Sequence, residues 1–220
     1  MAARAIGDPS FEDLTARARI RDAAIRLFAE RGIEATTIRD IAAAAGVSPG
    51  LVRHHFGAKS ALRDACDAYV AEQFDRIRKD MFDRDGMADP TFLGAIHPTA
   101  RLLQNYFVRS LMDGSGAATA RLDEAVETGE RWLLDHGAKS RDPQAMAAVL
   151  AFMKLGVFIM QDQLSRILGV DVNTPQGYVR MLRGMVDVTS QPLLTPEQAE
   201  QLHAGLDQLA AKDDGAENAA

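Results

Sequence analysis

The feature that most constrains this chain is the run Ala45-Gly46-Val47-Ser48-Pro49, which stops one helix and starts another within a few residues. Glycine relaxes into the left-handed conformation that closes a helix, serine offers a side-chain oxygen to free N–H groups, and proline is pre-shaped for the first helical position. Upstream, Thr37 with Asp40 three residues on fits a capping box, and Ile38, Ile41, Ala42 and Ala45 recur at helical spacing. Val47 reads as a buried hinge, and Leu51, Val52, His55 and Phe56 supply the inward side of the second helix. Thr36 to Lys59 is therefore predicted to form a helix-turn-helix, with Gly50, Arg53 and His54 turned outward.

Charge supports that reading once it is divided along the chain. The total is −6, yet Thr15 to Ser60 carries eight Lys or Arg against four acids, a local balance of +4 that leaves −10 for the rest. A small cationic module on an acidic body suits a surface that meets phosphate. Within it, Thr37 at a helix start and Lys59 at the next helix start are expected to hold DNA phosphates, and Ser48 to cap the second helix. Pro49, Gly50 and Leu51 at the tip suit apolar contact with thymine methyls and close backbone approach, while Arg53 and His54 are the polar readers.

Residues 1–14 contain Gly7, Asp8 and Pro9, show no sustained period and read as a flexible arm. Thr15 then caps a helix with the stripe Ile20, Ala23, Ala24, Leu27 and Phe28, closed by Gly32. A long amphipathic helix runs from Ser60 to about Arg84 and carries Cys66 as a small buried hydrophobe. Asp83 to Pro90 is a loop, and helices follow from Pro98 to Asp113, Ala117 to His136, Pro143 to Leu168, Gln176 to Thr189 and Pro196 to Ala211. The class is all-α. Domains fall at 1–14 (arm), 15–59 (three-helix DNA-binding domain), 60–211 (helical regulatory and dimerisation domain) and 212–220 (disordered tail).

Several classes fall away. No Gly-rich phosphate loop, metal-ligand spacing or nucleophile motif is present, so neither an enzyme nor a cofactor or metal is expected. The longest apolar segment, Ala145 to Met160, is interrupted by Lys154 and is too short for the roughly 20 residues of a membrane span. With one cysteine and no cleavable leader pattern, the expected location is the cytoplasm. A non-catalytic helical adaptor that uses the three-helix module for protein contact is the alternative function.

The run AAIRLFAERGIEATTIRDIAAAAGVSPGLVRHHFGAKSALRDA resembles the N-terminal DNA-binding domain of TetR-type transcriptional regulators. LFAERG, the T-T-x-x-x-I-A start, the GVS turn and the HF-x-x-K close carry the resemblance together. Arg53 departs from it, because the family usually has tyrosine there. The resemblance implies a homodimeric repressor, released from a palindromic operator in double-stranded DNA by a small, largely apolar effector. It also implies that the helices from Pro143 and from Gln176 pair with their copies in a second subunit. Val149, Phe152, Gly156, Ile159, Met160, Gln163, Ile167, Tyr178, Met181, Leu182, Met185 and Val186 would supply that seam. A ligand pocket in the same body would draw on Phe107, Met112, Trp132, Met153 and Phe158, with Asn105, Arg109 and Gln161 as polar anchors.

Overall fold

The computed structural model describes residues 9–83 and 90–217, with side chains over 15–79 and 99–211. Its elements are α1 (Pro9–Arg31), α2 (Ile38–Ala45), α3 (Pro49–Phe56), α4 (Lys59–Asp83), α5 (Pro90–Met112), α6 (Gly116–Asp135), α7 (Pro143–Ile159), α8 (Gln161–Leu168), α9 (Pro175–Ser190) and α10 (Pro196–Glu217). The fold is thus all-α over these residues, with an N-terminal helix-turn-helix and a C-terminal helical part. Two compact units divide the chain at Leu164 and Ser165.

Four element boundaries differ from the sequence reading. α1 begins at Pro9, so Thr15 is an exposed residue within the helix and not its cap. The reason is that nothing between Pro9 and Gly32 breaks a helix, while Pro9 is itself suited to the first helical position. Residues 1–8 of the expected arm and 84–89 of the expected loop lie outside the described residues. α5 starts at Pro90 and runs through Pro98, since the upstream proline takes the starting position. α10 continues to Glu217, past the expected end at Ala211, and residues 218–220 are not described. Its start is fixed by a reciprocal pair: Thr195 N–H donates to Gln198 Oε1 at 2.9 Å and Gln198 N–H to Thr195 Oγ1 at 3.2 Å.

The fourth difference splits the helix expected over Pro143 to Leu168. α7 ends at Met160, with φ −102° and ψ 32°, and α8 begins at Gln161. The Met160 N–H still bonds to Gly156 O at 3.0 Å, while its carbonyl accepts from Leu164 N–H at 2.9 Å, so one residue closes a helix and opens the next. Asp162 in the first turn of α8 favours a helix start through the positive N-terminal dipole. Gln161 Nε2 also donates to Asn105 Oδ1 on α5 at 3.0 Å, a tertiary tie that hydrophobic periodicity does not register.

A single core fuses the helix-turn-helix with its neighbours. Ile20, Ala23, Ala24, Leu27 and Phe28 of α1 meet Ile41, Ala42 and Ala45 of α2 and Val52 and Phe56 of α3. Leu62, Cys66 and Val70 of α4 and Leu103 and Tyr106 of α5 complete it. The core does not stop at residue 60. Cys66 is fully buried, its thiol lies 3.8 Å from Arg21 O, and burial pushes its pKa up, so it behaves as the small hydrophobe expected.

In the unit from Ser165 onward, Thr174 caps α9 by accepting from Gly177 N–H at 3.2 Å. Arg180 Nη1 closes the last turn of α8 by donating to Leu168 O at 2.7 Å. Val172, Tyr178 and Met181 are buried there. No single helix among the described residues is long and apolar enough to cross a membrane.

Candidate nucleic-acid interface

Two caps and a tight turn set the geometry of the interface. Thr37 Oγ1 accepts from Asp40 N–H at 3.2 Å, and Asp40 Oδ2 accepts from Thr37 N–H at 2.9 Å, which closes the capping box at the start of α2. At its other end Gly46 sits at φ 66°, ψ 40°; its N–H reaches Ala43 O at 3.2 Å and the Val47 N–H reaches Ala42 O at 2.9 Å. This pair of bonds is the Schellman closure that only a left-handed residue permits. Ser48 then caps α3, its Oγ accepting from Leu51 N–H at 3.2 Å, with Pro49 as the first helical residue.

α3 presents two contrasting sides. Val52 and Phe56 are buried in the core. Ser48, Pro49, Gly50, Arg53 and His54 are exposed, and Leu51 is half-buried. His55 is also half-buried, its ring edge-on to His54 at 5.5 Å and tilted to Phe56 at 6.3 Å. The Arg53 guanidinium has no hydrogen bond or ion pair among the described residues. Arg19, Arg26, Arg31 and Arg39 are exposed as well, so the cationic character of the module faces outward.

Thr37, at the surface, and half-buried Lys59 both have partners within the chain. The Thr37 hydroxyl donates to Asp40 Oδ2 at 2.7 Å, and these bonds to Thr37, with a contribution from Arg31, hold the Asp40 carboxyl below its ordinary value. Lys59 Nζ donates to Ile33 O at 2.8 Å and to Thr36 O at 3.2 Å, which pins the first turn of α4 to the α1–α2 connection. An ammonium has three donors, so one remains for an outside acceptor.

That connection is braced from further away by residues that sequence reasoning assigned elsewhere or passed over. Thr36 is fully buried and its hydroxyl donates to Gly32 O at 2.8 Å. Asp113 at the end of α5 accepts from Ile33 N–H at 3.1 Å, and Arg109 Nη2 donates to Arg31 O at 3.2 Å. Arg109 thus holds the C-terminal end of α1 and does not line the cleft of the body. Arg17 stacks over Phe56 at 4.9 Å and Arg21 over Tyr69 at 3.5 Å, tying α1 to the end of α3 and to α4. Nothing local in the sequence marks a partner 80 positions away, as for Ile33 and Asp113.

The residues expected to line a ligand pocket do not converge. Asn105 and Gln161 are hydrogen-bonded to each other, Trp132 is half-exposed and stacked on His136 at 4.1 Å, and Met112 and Met153 are exposed. Phe158 is half-buried. Phe107 alone of the set borders a cleft, of about 290 Å³, where it meets Phe74 edge-on at 5.9 Å. The polar centre of that cleft is Asp67, which accepts from Tyr106 OH at 2.7 Å, Ser110 Oγ at 3.2 Å and Ser115 Oγ at 2.9 Å. Burial, then the neighbouring Cys66 and Asp67, push the Tyr106 phenol up. Arg121 on the rim bonds to Asp75 and to Glu124; burial opposes its charge, but these two carboxylates outweigh it and raise its pKa.

Of the residues expected at a subunit seam, Val149, Phe152, Ile159, Met160, Gln163 and Ile167 are exposed. Gly156, Leu182 and Met185 are intermediate, and Tyr178 and Met181 are buried within the chain. On α9 the exposed large apolar side chains are Val186, expected at the seam, together with Val179 and Val188.

A capped helix pair with one helix locked inward and cationic outward, carried on a helical body, defines a helix-turn-helix DNA-binding protein. Residues 20–66 match the family model for bacterial regulatory proteins of the tetR family. Over 162 residues, 69% of this chain and 74% of the relative, the chain is 40% identical to the HTH-type transcriptional regulatory protein RaaS of Mycobacterium tuberculosis. It is 52% identical over 48 residues, 22% of this chain and 24% of the other, to the HTH-type transcriptional repressor KstR2 of Rhodococcus jostii. The solved TetR family protein CprB from S. coelicolor shares the fold, with a TM-score of 0.54 and 24% identity over 79% of this chain and 89% of that one. The chain belongs to the TetR family of bacterial transcriptional regulators.

Proposed function

We propose that the protein is a homodimeric repressor that grips a palindromic operator with paired copies of α3 and leaves it when a small, largely apolar effector binds the helical body. The observation that carries the DNA half is the outer side of α3. Arg53, His54 and Gly50 face solvent there, while the inner side is fixed in the core. Residues 15–59 form the DNA-binding domain in this reading and 60–211 the regulatory and dimerisation domain, acting in the cytoplasm. Ser48, Pro49, Gly50, Leu51, Arg53 and His54 make the base-side contacts. Thr37 and Lys59 contribute to phosphate contact chiefly by holding the α2 and α4 starts in place, and Arg39 joins the cationic surface.

Pairing is supported by the apolar area the chain leaves in water. Phe152 is 61% exposed in the first unit, and Ile167 70% and Val186 62% in the second, and large apolar side chains left in water favour a covering partner in each. A two-fold axis would set two copies of α3 about 34–36 Å apart on successive major-groove faces. An effector that prefers a conformation with another spacing weakens operator binding by its differential affinity, about 1–3 kcal/mol. The test is a mobility shift with DNA from the protein's own promoter region at several salt concentrations. Binding that weakens steeply with salt supports the reading, and absence of a shift at low salt overturns it.

A further inference from the structure

The end of α5 and the turn into α6, from Tyr106 to Ser115, carry two sets of ties. One set holds the helix-turn-helix from behind. Arg109 Nη2 donates to Arg31 O at 3.2 Å, Asp113 Oδ2 accepts from Ile33 N–H at 3.1 Å, and Arg109 Nε stands 3.6 Å from Asp113 Oδ1, which keeps the two side chains together. Gly32 lies between these anchor points at φ 81°, and a Cβ built on it would run into the Arg109 guanidinium. The missing side chain is what lets Arg109 lie against the chain there. Thr37, the cap of α2, comes soon after Ile33.

The second set reaches α4. Tyr106, Ser110 and Ser115 all donate to Asp67, and Ser115 Oγ also accepts from Ala118 N–H at 3.2 Å, so the start of α6 depends on the same hydroxyl. Asp67 borders the cleft of about 290 Å³, whose apolar walls include Ala68, Ala71 and Phe74 of α4, Phe107 of α5 and Ala117 of α6. All of these residues belong to the first unit.

We infer that Arg109 and Asp113 are positioning residues for operator binding, and that occupation of the cleft by a small apolar molecule acts on the helix-turn-helix through them. The inference rests on the DNA and effector readings proposed above. Ser110, bonded to Asp67, lies within one turn of both Arg109 and Asp113 on α5. A molecule that parts α4 from α6 strains the bonds of Asp67 to Ser110 and Ser115, and the helix end that carries these serines carries the anchors of Arg31 and Ile33 as well. Neither Arg109 nor Asp113 need touch DNA.

The test measures operator affinity and amide hydrogen exchange on the full-length protein, with the operator recovered by selection from random DNA. Arg109→Ala and Asp113→Ala should each weaken binding about fivefold with no change in its salt slope, and Arg109→Lys, which keeps a donor for Arg31 O, should recover most of the loss. A slope lowered by about 1 in Arg109→Ala would make that residue a phosphate contact and overturn the inference. Ala68→Phe fills the cleft in place of a ligand. It should speed exchange at the Ile33 amide, weaken binding about fivefold in the wild-type background and cost nothing further beside Asp113→Ala, where the tie it acts through is already gone. Unchanged binding or exchange, or equal losses in both backgrounds, overturns the coupling and leaves DNA binding standing. Ser110→Ala loosens Asp67 without adding bulk and decides the same comparison should Ala68→Phe not fold. Wild-type protein that recovers no operator from the pool overturns the DNA reading itself.

Discussion

Arg53 and Lys59 are both cations of the helix-turn-helix module, but their surroundings assign them different work. The Arg53 guanidinium has no protein partner among the described residues, whereas the Lys59 ammonium donates to two carbonyls of the α1–α2 connection. Charged donors to buried or half-buried carbonyls stabilise a fold by about 1–3 kcal/mol. Lys59→Ala is therefore expected to lower stability by about 1–2 kcal/mol in denaturant titration, with little change in the salt dependence of operator binding. Arg53→Ala should leave stability within about 0.5 kcal/mol and weaken binding. If Arg53 reads a guanine, the loss is concentrated on operators carrying that base; if it holds phosphate, all sequences weaken alike and the salt slope falls by about 1. Sequence already separated the two, giving Lys59 a phosphate and Arg53 a base edge, but the carbonyls that hold Lys59 within the protein lie 23 and 26 positions away and were not legible in it.

At the scale of elements, α2 depends on one short-range device. The Asp40 carboxyl is held below its ordinary value first by the Thr37 hydroxyl and then by the Thr37 N–H. A carboxyl whose folded value lies below its unfolded one contributes fully above the ordinary carboxylate range, near about 4, and loses that contribution as pH falls through the lowered folded value. Wild-type stability should accordingly fall more steeply than that of Thr37→Ala on acidification below about pH 4, as measured by thermal melts across an acid series. Parallel curves would mean that the box does not stabilise α2. The capping box, the Gly46 closure and the Ser48-Pro49 start were all legible because each is written in residues a few positions apart. The start of α1 was not, since Pro9 beside Gly7 and Asp8 reads as a breaker, while the same residue type also suits the first position of a helix, which is where it stands. Nor was the break at Met160, where the apolar run gives way to Gln161-Asp162-Gln163 with no glycine or proline to mark a stop, and the Gln161–Asn105 tie comes from a distant helix. The same limit explains Arg109: its guanidinium was read as a pocket anchor, and the helix end it holds lies 78 positions away.

For the whole molecule, the exposed apolar residues ask for a covering surface. Phe152 on α7 and Ile167 on α8 stand in solvent in the single chain. In the proposed dimer they are buried, so Phe152→Glu should shift the protein from dimer to monomer in analytical ultracentrifugation and weaken operator binding without unfolding the helix-turn-helix core. A variant that stays dimeric would place the seam elsewhere. The side chains expected to build a ligand pocket were chosen by size and polarity, and these properties do not distinguish a pocket wall from an exposed helix face, which is where Trp132, Met112 and Met153 stand.

In the proposed dimer two copies of α3 act together on a symmetric site. Selection of bound DNA from a random pool by the purified full-length protein should then recover a palindrome whose half-sites lie one helical turn or a multiple of it apart, bound by an even number of protomers. Recovery of no enriched sequence, or of a single unpaired half-site bound by a monomer, would contradict it.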